Sequence, residues 1–193
     1  MINLNKGGMI NLQKADAGLQ RVRVGLGWDP NNSSTGAKFD LDVSAFVLKH
    51  VAQKPIAISE GHFVFYNNKM SPEGAVIHKG DNQDGAAEGP DEIMLVDLAK
   101  IPSEAAEISF IVTIHEAEKR KQNFGQVKNS YIAIYNDETN VEIARYDLRE
   151  EFSNETAVQF GSIERNSSGS FSFAAIGAGF NNGLSAYIQQ YGL

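Results

Sequence analysis

The sequence predicts a mainly all-β protein, a β-sandwich of two sheets with a few short helices, one of them C-terminal. Apolar residues recur with a period of two rather than 3.6 along most of the chain. The alternating runs are short, and turns rich in Gly, Asn and Asp separate them. No linker rich in Pro, Ser or Gly splits the 193 residues, so one domain spanning 1–193 is expected.

The chain opens with an echo, "INLNK" (2–6) and "INLQK" (10–14), joined through Gly7-Gly8. Two glycines free to take positive φ predict a tight hairpin there. In "QRVRVGLGW", Val22, Val24, Leu26 and Trp28 share a face, which places Trp28 in the core. "LDVSAFVL" (41–48) groups Leu41, Val43, Ala45 and Val47, with Phe46 and Leu48 on the reverse. "EISFIVTIH" aligns Ile108, Phe110, Val112 and Ile114. "SYIAIYN" and "VEIARYDL" read as a hairpin about "DETN", and "VQFGSIER" and "FSFAAIG" as another about "RNSSGSF" (165–171).

Helical signals are few. "IHEAEKRKQNFG" predicts a short helix from about Glu116 to near Gly125. "NGLSAYIQQYG" (182–192) predicts a C-terminal helix capped by Asn182, striped by Leu184, Tyr187, Ile188 and Tyr191, and ended by Gly192.

Net charge is −7, which argues against nucleic acid or an anionic membrane surface as the main partner. There is no cysteine, hence no disulfide, thiolate metal site or thiol redox chemistry. The opening residues lack the basic start and apolar run of a secretory signal, and no stretch approaches the roughly 20 apolar residues of a membrane span. A cytoplasmic protein without direct membrane insertion is expected.

One segment demands a ligand or full solvation. "GDNQDGAAEGPDE" (80–92) holds Asp81, Asp84, Glu88, Asp91, Glu92 and Asn82, with no Lys or Arg. Carboxylates this close repel one another unless a cation or water separates them. A hard cation such as Ca2+ takes about 6–8 oxygen ligands, and this segment supplies them in quantity. It is not an EF-hand loop: with Gly85 sixth, Gly80 falls first and Asp91 twelfth, so the first ligand is missing. Other oxygen donors stand at strand ends: Asp29 in "GWDPNN", Asp40 and Asp42 in "FDLD", Asn67 and Asn68 after "FVFY", and Glu116 after "VTIH".

Signals for catalysis are weak, and a non-enzymatic protein is expected. "HEAEK" (115–119) has Lys119 where a zinc-protease signature needs its second His, and His50, His62, His78 and His115 show no ligand spacing. There is no G-x-S-x-G elbow.

The motifs "KGGMINLQK", "VGLGWD", "FDLDVSAFVL", "FVFYNN", "HKGDNQDG" with "DEIMLVDL", "TIHEAEKRKQNFGQV", "EIARYDL" and "AIGAGFNNGLSAYIQQYG" occur in order along nearly the whole chain. Together they resemble the TerD family of tellurium-resistance and stress-response proteins. The resemblance implies a compact β-sandwich that binds Ca2+ in two neighbouring sites. Its ligands fall on Asp29, Asp40, Asp42, Asn67, Asn68, Asp81, Asn82, Asp91, Glu92 and Glu116. Asp84, in the family's variable acidic stretch, is added from the chemistry of the loop. The chain departs from the family's denser acidic run at Ala86-Ala87 and Pro90, which bears on the second site. The expected role is a Ca2+-binding stress-response protein whose ordered loops meet other proteins of the same resistance system, some of them at the membrane. The alternatives are a calcium-dependent module for a sugar or lipid headgroup and, behind it, a metal-dependent hydrolase.

Overall fold

A computed structural model describes residues 1–30, 38–80, 89–148 and 152–193. In chain order the described strands are β1 Ile2–Leu4, β2 Met9–Asn11, β3 Arg21–Gly27, β4 Leu41–Val51, β5 Lys54–Ala57 and β6 Phe63–Val64. They continue with β7 Val76–Gly80, β8 Glu92–Asp97, β9 Glu107–Ile114, β10 Tyr131–Asn136, β11 Glu142–Asp147, β12 Ala157–Arg165 and β13 Phe171–Phe180. Among the described residues, three α-helices join them, α1 Leu12–Ala15, α2 Ala117–Arg120 and α3 Gly183–Gln190, with single 3-10 turns at Glu60–His62 and Phe124–Gln126. The described strands form two sheets, the first ordered β1-β11-β10-β3-β8-β7 and the second β2-β13-β12-β9-β4-β5, with β6 also paired to β4.

The period-two faces meet between the sheets. From the first come Val22, Val24, Leu26, Trp28, Met94, Val96, Ile132 and Ile134; from the second come Leu41, Val43, Val47, Ile108, Phe110 and Val112, all buried in one cluster. On β12 the inward phase slips from Phe160 to Ile163, because the register shifts between Gln159 and Gly161. Such a bulge adds a residue and turns the following side chains over.

A second, smaller core lies on the outer face of the second sheet. Phe46, Leu48, Ile111 and Ala157 are covered there by Tyr187 and Tyr191 of α3 and its following residue, with Leu184 and Ile188 packed at the margin. Phe46 stacks on Phe63 at 4.4 Å and meets Tyr191 at 5.0 Å. Burying each such side chain stabilises the fold by about 1.5–3 kcal/mol, enough to dock a helix too short to persist alone. Gly192, at φ +78, closes the helix as expected.

Three local expectations need correction. The N-terminal echo is not a hairpin: β1 runs parallel to β11 in the first sheet, whereas β2 pairs antiparallel with β13 in the second. Gly7, at φ +77, makes the turn, and its N–H donates to Ala175 O at 2.8 Å, so the segment straps the two sheets together. Each strand gains more by completing a sheet edge than by pairing with its three-residue neighbour. Helix α2 ends at Arg120 rather than near Gly125, because Lys121 takes a left-handed conformation, φ 53, and stops it. Asn182 precedes α3 but makes no side-chain cap bond. The "DETN" hairpin does form, held by Asn136 Oδ1 accepting from the N–H groups of Glu138 (2.9 Å) and Thr139 (3.1 Å).

Candidate functional site

Strand pairing decides which acidic residues share an end of the sandwich. Leu26 lies opposite Glu92, Gly80 opposite Ile93, Gly27 opposite Tyr131, and Leu41 opposite Ile114. The end of β3, the start of β8, the end of β7, the start of β4 and the end of β9 therefore form one rim. Asp29, Asp40, Asp42, Asp91, Glu92 and Glu116 all stand on it. Asp81, Asn82, Asp84 and Glu88 lie outside the described residues, between β7 and β8 in the sequence.

The rim has two sides. On the first sheet, Asp91 is only 8% exposed. Its N–H donates to Leu26 O at 2.6 Å, and its Oδ2 accepts from the Trp28 N–H at 3.1 Å, so it ties off the end of β3. It also lines a small cavity of about 160 Å3 with Lys79, Gly80 and Ile93. Asp29, the next residue after Trp28, is exposed; its Oδ2 accepts from Asn129 Nδ2 at 2.7 Å and its N–H donates to Lys128 O at 3.0 Å.

Glu92 turns the other way. In phase with Met94 and Val96, it faces the core, and its Oε2 lies 3.3 Å from His78 Nε2, both side chains 1% exposed. A buried carboxylate needs such a partner, and His78 supplies one from the adjacent strand. The signal was present in the sequence: His78 and Glu92 each sit in phase with the apolar face of their strand.

On the second sheet the acids face basic side chains. Asp40 Oδ2 lies 3.4 Å from Arg120 Nη1, and Asp42 Oδ2 lies 3.6 Å from His115 Nδ1. Glu116, itself left-handed at φ 50, accepts from Lys119 Nζ at 2.9 and 3.1 Å and lies 3.7 Å from Arg120 Nε. The Lys119 hydrogen bond holds the exposed Glu116 carboxyl below its ordinary range. Asp42 shares the outer face with Phe46, not the sandwich core.

Asn68 serves a turn. Its N–H and C=O both bond Phe65, and its Nδ2 donates to Phe63 O at 2.7 Å and Gly61 O at 3.2 Å. Asn67 is exposed beside it. Among the described residues, no three His, Cys, Asp or Glu side chains stand close enough together to hold a metal ion by themselves.

Nearby, Ser59 Oγ lies 2.8 Å from His62 Nδ1, His62 Nε2 lies 3.0 Å from Glu73, and Ser71 Oγ donates to Glu73 Oε1 at 2.6 Å. Ser71 Oγ also accepts from the Val76 N–H at 3.0 Å. This relay braces two turns against each other. Among the described residues, no helix is long and apolar enough to cross a membrane.

Comparison with known proteins agrees with the resemblance. A family model described as TerD domain matches residues 1–191. General stress protein 16U of Bacillus subtilis (strain 168) is 46% identical over 192 residues, covering 100% of this chain and 97% of its own. Tellurium resistance protein TerD of Serratia marcescens is 44% identical over 192 residues, with the same coverage of 100% and 97%. A crystal structure of a homologue of telluride resistance protein (TerD) from Streptomyces coelicolor A3(2) superposes with a TM-score of 0.68, at 24% identity, over 88% of this chain and 95% of that one. That last likeness is one of fold.

Proposed function

Because this chain belongs to the TerD family, we propose that it is a cytoplasmic stress-resistance protein that acts by binding Ca2+ and a protein partner rather than by catalysis. The names of its relatives support the resistance role. The observation that supports calcium is the bond between the Trp28 N–H and Asp91 Oδ2. It holds a largely buried carboxylate beside the start of Asp29, where the acidic segment 80–92 re-enters the sheet.

The donor set fits a hard cation: carboxylates and amides in number, and no thiolate in the chain. Asp29 and Asp91 would hold the ion with Asp81, Asn82 and Asp84. When bound, it would offset the repulsion among the carboxylates of 80–92. Glu92 supports the site from beneath, its Oε2 3.3 Å from His78 Nε2. The second ion that the resemblance implies would draw on Asp40, Asp42 and Glu116. It would have to displace Arg120, His115 and Lys119 from them, so it binds more weakly.

Asp91 and Asp29 then order the rim as a docking surface for other proteins of the same resistance system, some of them at the membrane. A ligand that binds the native state stabilises it by RT ln(1 + [L]/Kd), about 2.7 kcal/mol at a hundredfold excess over Kd. Calorimetric titration of chelator-treated protein with Ca2+, with Mg2+ as control, tests this alongside thermal melting. Binding of Ca2+ with a raised melting temperature is expected. No heat, and a melting curve indifferent to metal, would overturn the calcium reading and leave the partner as the only ligand.

A further inference from the structure

A line of four side chains joins the turn after β5 to the turn before β7. Ser59 Oγ lies 2.8 Å from His62 Nδ1, His62 Nε2 lies 3.0 Å from Glu73 Oε2, and Ser71 Oγ donates to Glu73 Oε1 at 2.6 Å. The inner end of the line is fixed. Ser71 is fully buried and its Oγ also accepts from the Val76 N–H, so Glu73 is held in one orientation. The His62 ring is buried as well. The outer end, Ser59, is exposed.

The order of the line sets the direction of its hydrogen bonds. A carboxylate only accepts, so in the neutral imidazole Nε2 carries the hydrogen and donates it to Glu73. Nδ1 then keeps its lone pair and accepts from the Ser59 hydroxyl. A serine hydroxyl is a weak nucleophile until a base within roughly 2.6–3.2 Å can take its proton, and His62 meets that condition. Ser59, His62 and Glu73 thus stand in the order nucleophile, base and orienting acid, with the two ring nitrogens exchanged relative to the usual serine triad. Other exposed serines differ. Ser168 Oγ lies 2.9 Å from Ser170 Oγ, and Ser185 Oγ donates to Asn182 O at 2.7 Å; a hydroxyl and an amide carbonyl are far weaker bases than an imidazole. Gly61 keeps the approach to Ser59 open, since a Cβ there would stand 3.7 Å from Ser59 Oγ and 3.0 Å from Pro72 Cγ.

We propose that Ser59 is a base-activated nucleophile, a modification site that takes an acyl group from a small activated acyl donor such as an acyl phosphate or an aryl ester. Ser59 Oγ bonds to the carbonyl carbon as its proton passes to His62 Nδ1. The bond from that carbon to the leaving oxygen then breaks, and the leaving group departs with the proton from His62. One donor is consumed for each ester formed at Ser59. None of the four side chains is among those assigned to calcium, so the inference stands apart from that reading.

The test incubates the full chain with p-nitrophenyl acetate in chelator and follows acetylation residue by residue with peptide mass mapping. Ser59 is expected to react at least about tenfold faster than Ser168 and Ser185. Ser59→Ala should remove that ester and leave acetylation of the lysines unchanged. His62→Gln should slow the Ser59 reaction about tenfold or more. Glu73 acts through His62 as a positioning residue: Glu73→Leu should slow Ser59, and Glu73→Gln, which keeps an accepting oxygen for the Nε2–H, should recover most of the rate. Nitrogen NMR of the His62 ring in the parent should show the hydrogen on Nε2. The proposal is overturned if Ser59 reacts no faster than Ser168, or if folded His62→Gln or Glu73→Leu reacts as fast as the parent. It also fails if the parent carries the ring hydrogen on Nδ1. The serine comparison and the tautomer are both read on the parent, so they decide even where a His62 or Glu73 variant does not fold.

Discussion

The Trp28 N–H donates to Asp91 Oδ2 at 3.1 Å, joining the end of β3 to the start of β8 across 63 residues of sequence. Asn at position 91 would keep an acceptor oxygen there but remove the charge. Asp91→Asn is therefore expected to leave the metal-free fold nearly as stable, within about 1 kcal/mol, while weakening Ca2+ binding at least about tenfold. Calorimetry on the variant checks this. An unchanged calcium affinity would remove Asp91 from the ligand set.

His78 and Glu92 make a different kind of pair. Both are buried in the core, so deleting either partner strands a charge or a polar ring away from water. His78→Leu or Glu92→Leu alone is expected to cost about 3–5 kcal/mol, whereas a double apolar replacement should cost clearly less than either single change. Urea unfolding of the three variants gives the comparison. Additive losses would mean that the two side chains do not depend on each other.

The same pair marks how far a sequence can be read. Period two made both sheets legible, and even the reverse face carrying Phe46 and Leu48, because alternation is a local property. The destination of a strand is not local. "INLNK" and "INLQK" look like mates, yet each is claimed by a distant edge, β11 and β13. The rim donors Asp29, Asp40, Asp42, Asp91 and Glu116 were legible as oxygen-bearing residues at strand ends. Their division between two sheets was not, since it follows from Leu26 meeting Glu92 and Leu41 meeting Ile114. The inward turn of Glu92 was within reach of the alternation, but the identity of its partner depended on β7 pairing with β8.

Gly27 offers a test close to the rim. It lies directly opposite Tyr131, whose ring covers it and is itself capped by the Arg145 guanidinium at 3.5 Å. A Cβ at position 27 would fall well inside contact distance of that ring. Gly27→Ala is expected to cost about 1–3 kcal/mol by overpacking. Adding Tyr131→Ala removes the clash, so the double variant should lose less than the sum of the two singles. Denaturant midpoints report the difference; strict additivity would place the Tyr131 ring elsewhere.

Glu107 gives the fold a pH dependence of predictable sign. It sits on the outer face of the second sheet, 3.4 Å from His50 Nε2 and 3.4 Å from Gln159 Nε2. Gln159 continues to Ser109 at 2.8 Å, and Ser109 lies 3.3 Å from the hydroxyl of Tyr191, whose pKa burial pushes up to about 12. Burial raises the Glu107 pKa above its ordinary 4.5, the Glu164 charge adds to this, and the His50 contact offsets part of it. The folded protein thus holds this proton more tightly than the unfolded chain does. The resulting stabilisation is fully present below the unfolded value and is lost as pH rises through the raised one. At neutral pH the ionised carboxylate is a liability. Glu107→Gln, which keeps the shape and a hydrogen-bonding oxygen, is expected to be more stable than the parent near pH 7. Its advantage should shrink as pH falls towards about 4. Urea midpoints measured from about pH 4 to pH 8 decide it: a difference constant across that range would mean that Glu107 is ionised as readily in the folded protein as in the unfolded chain.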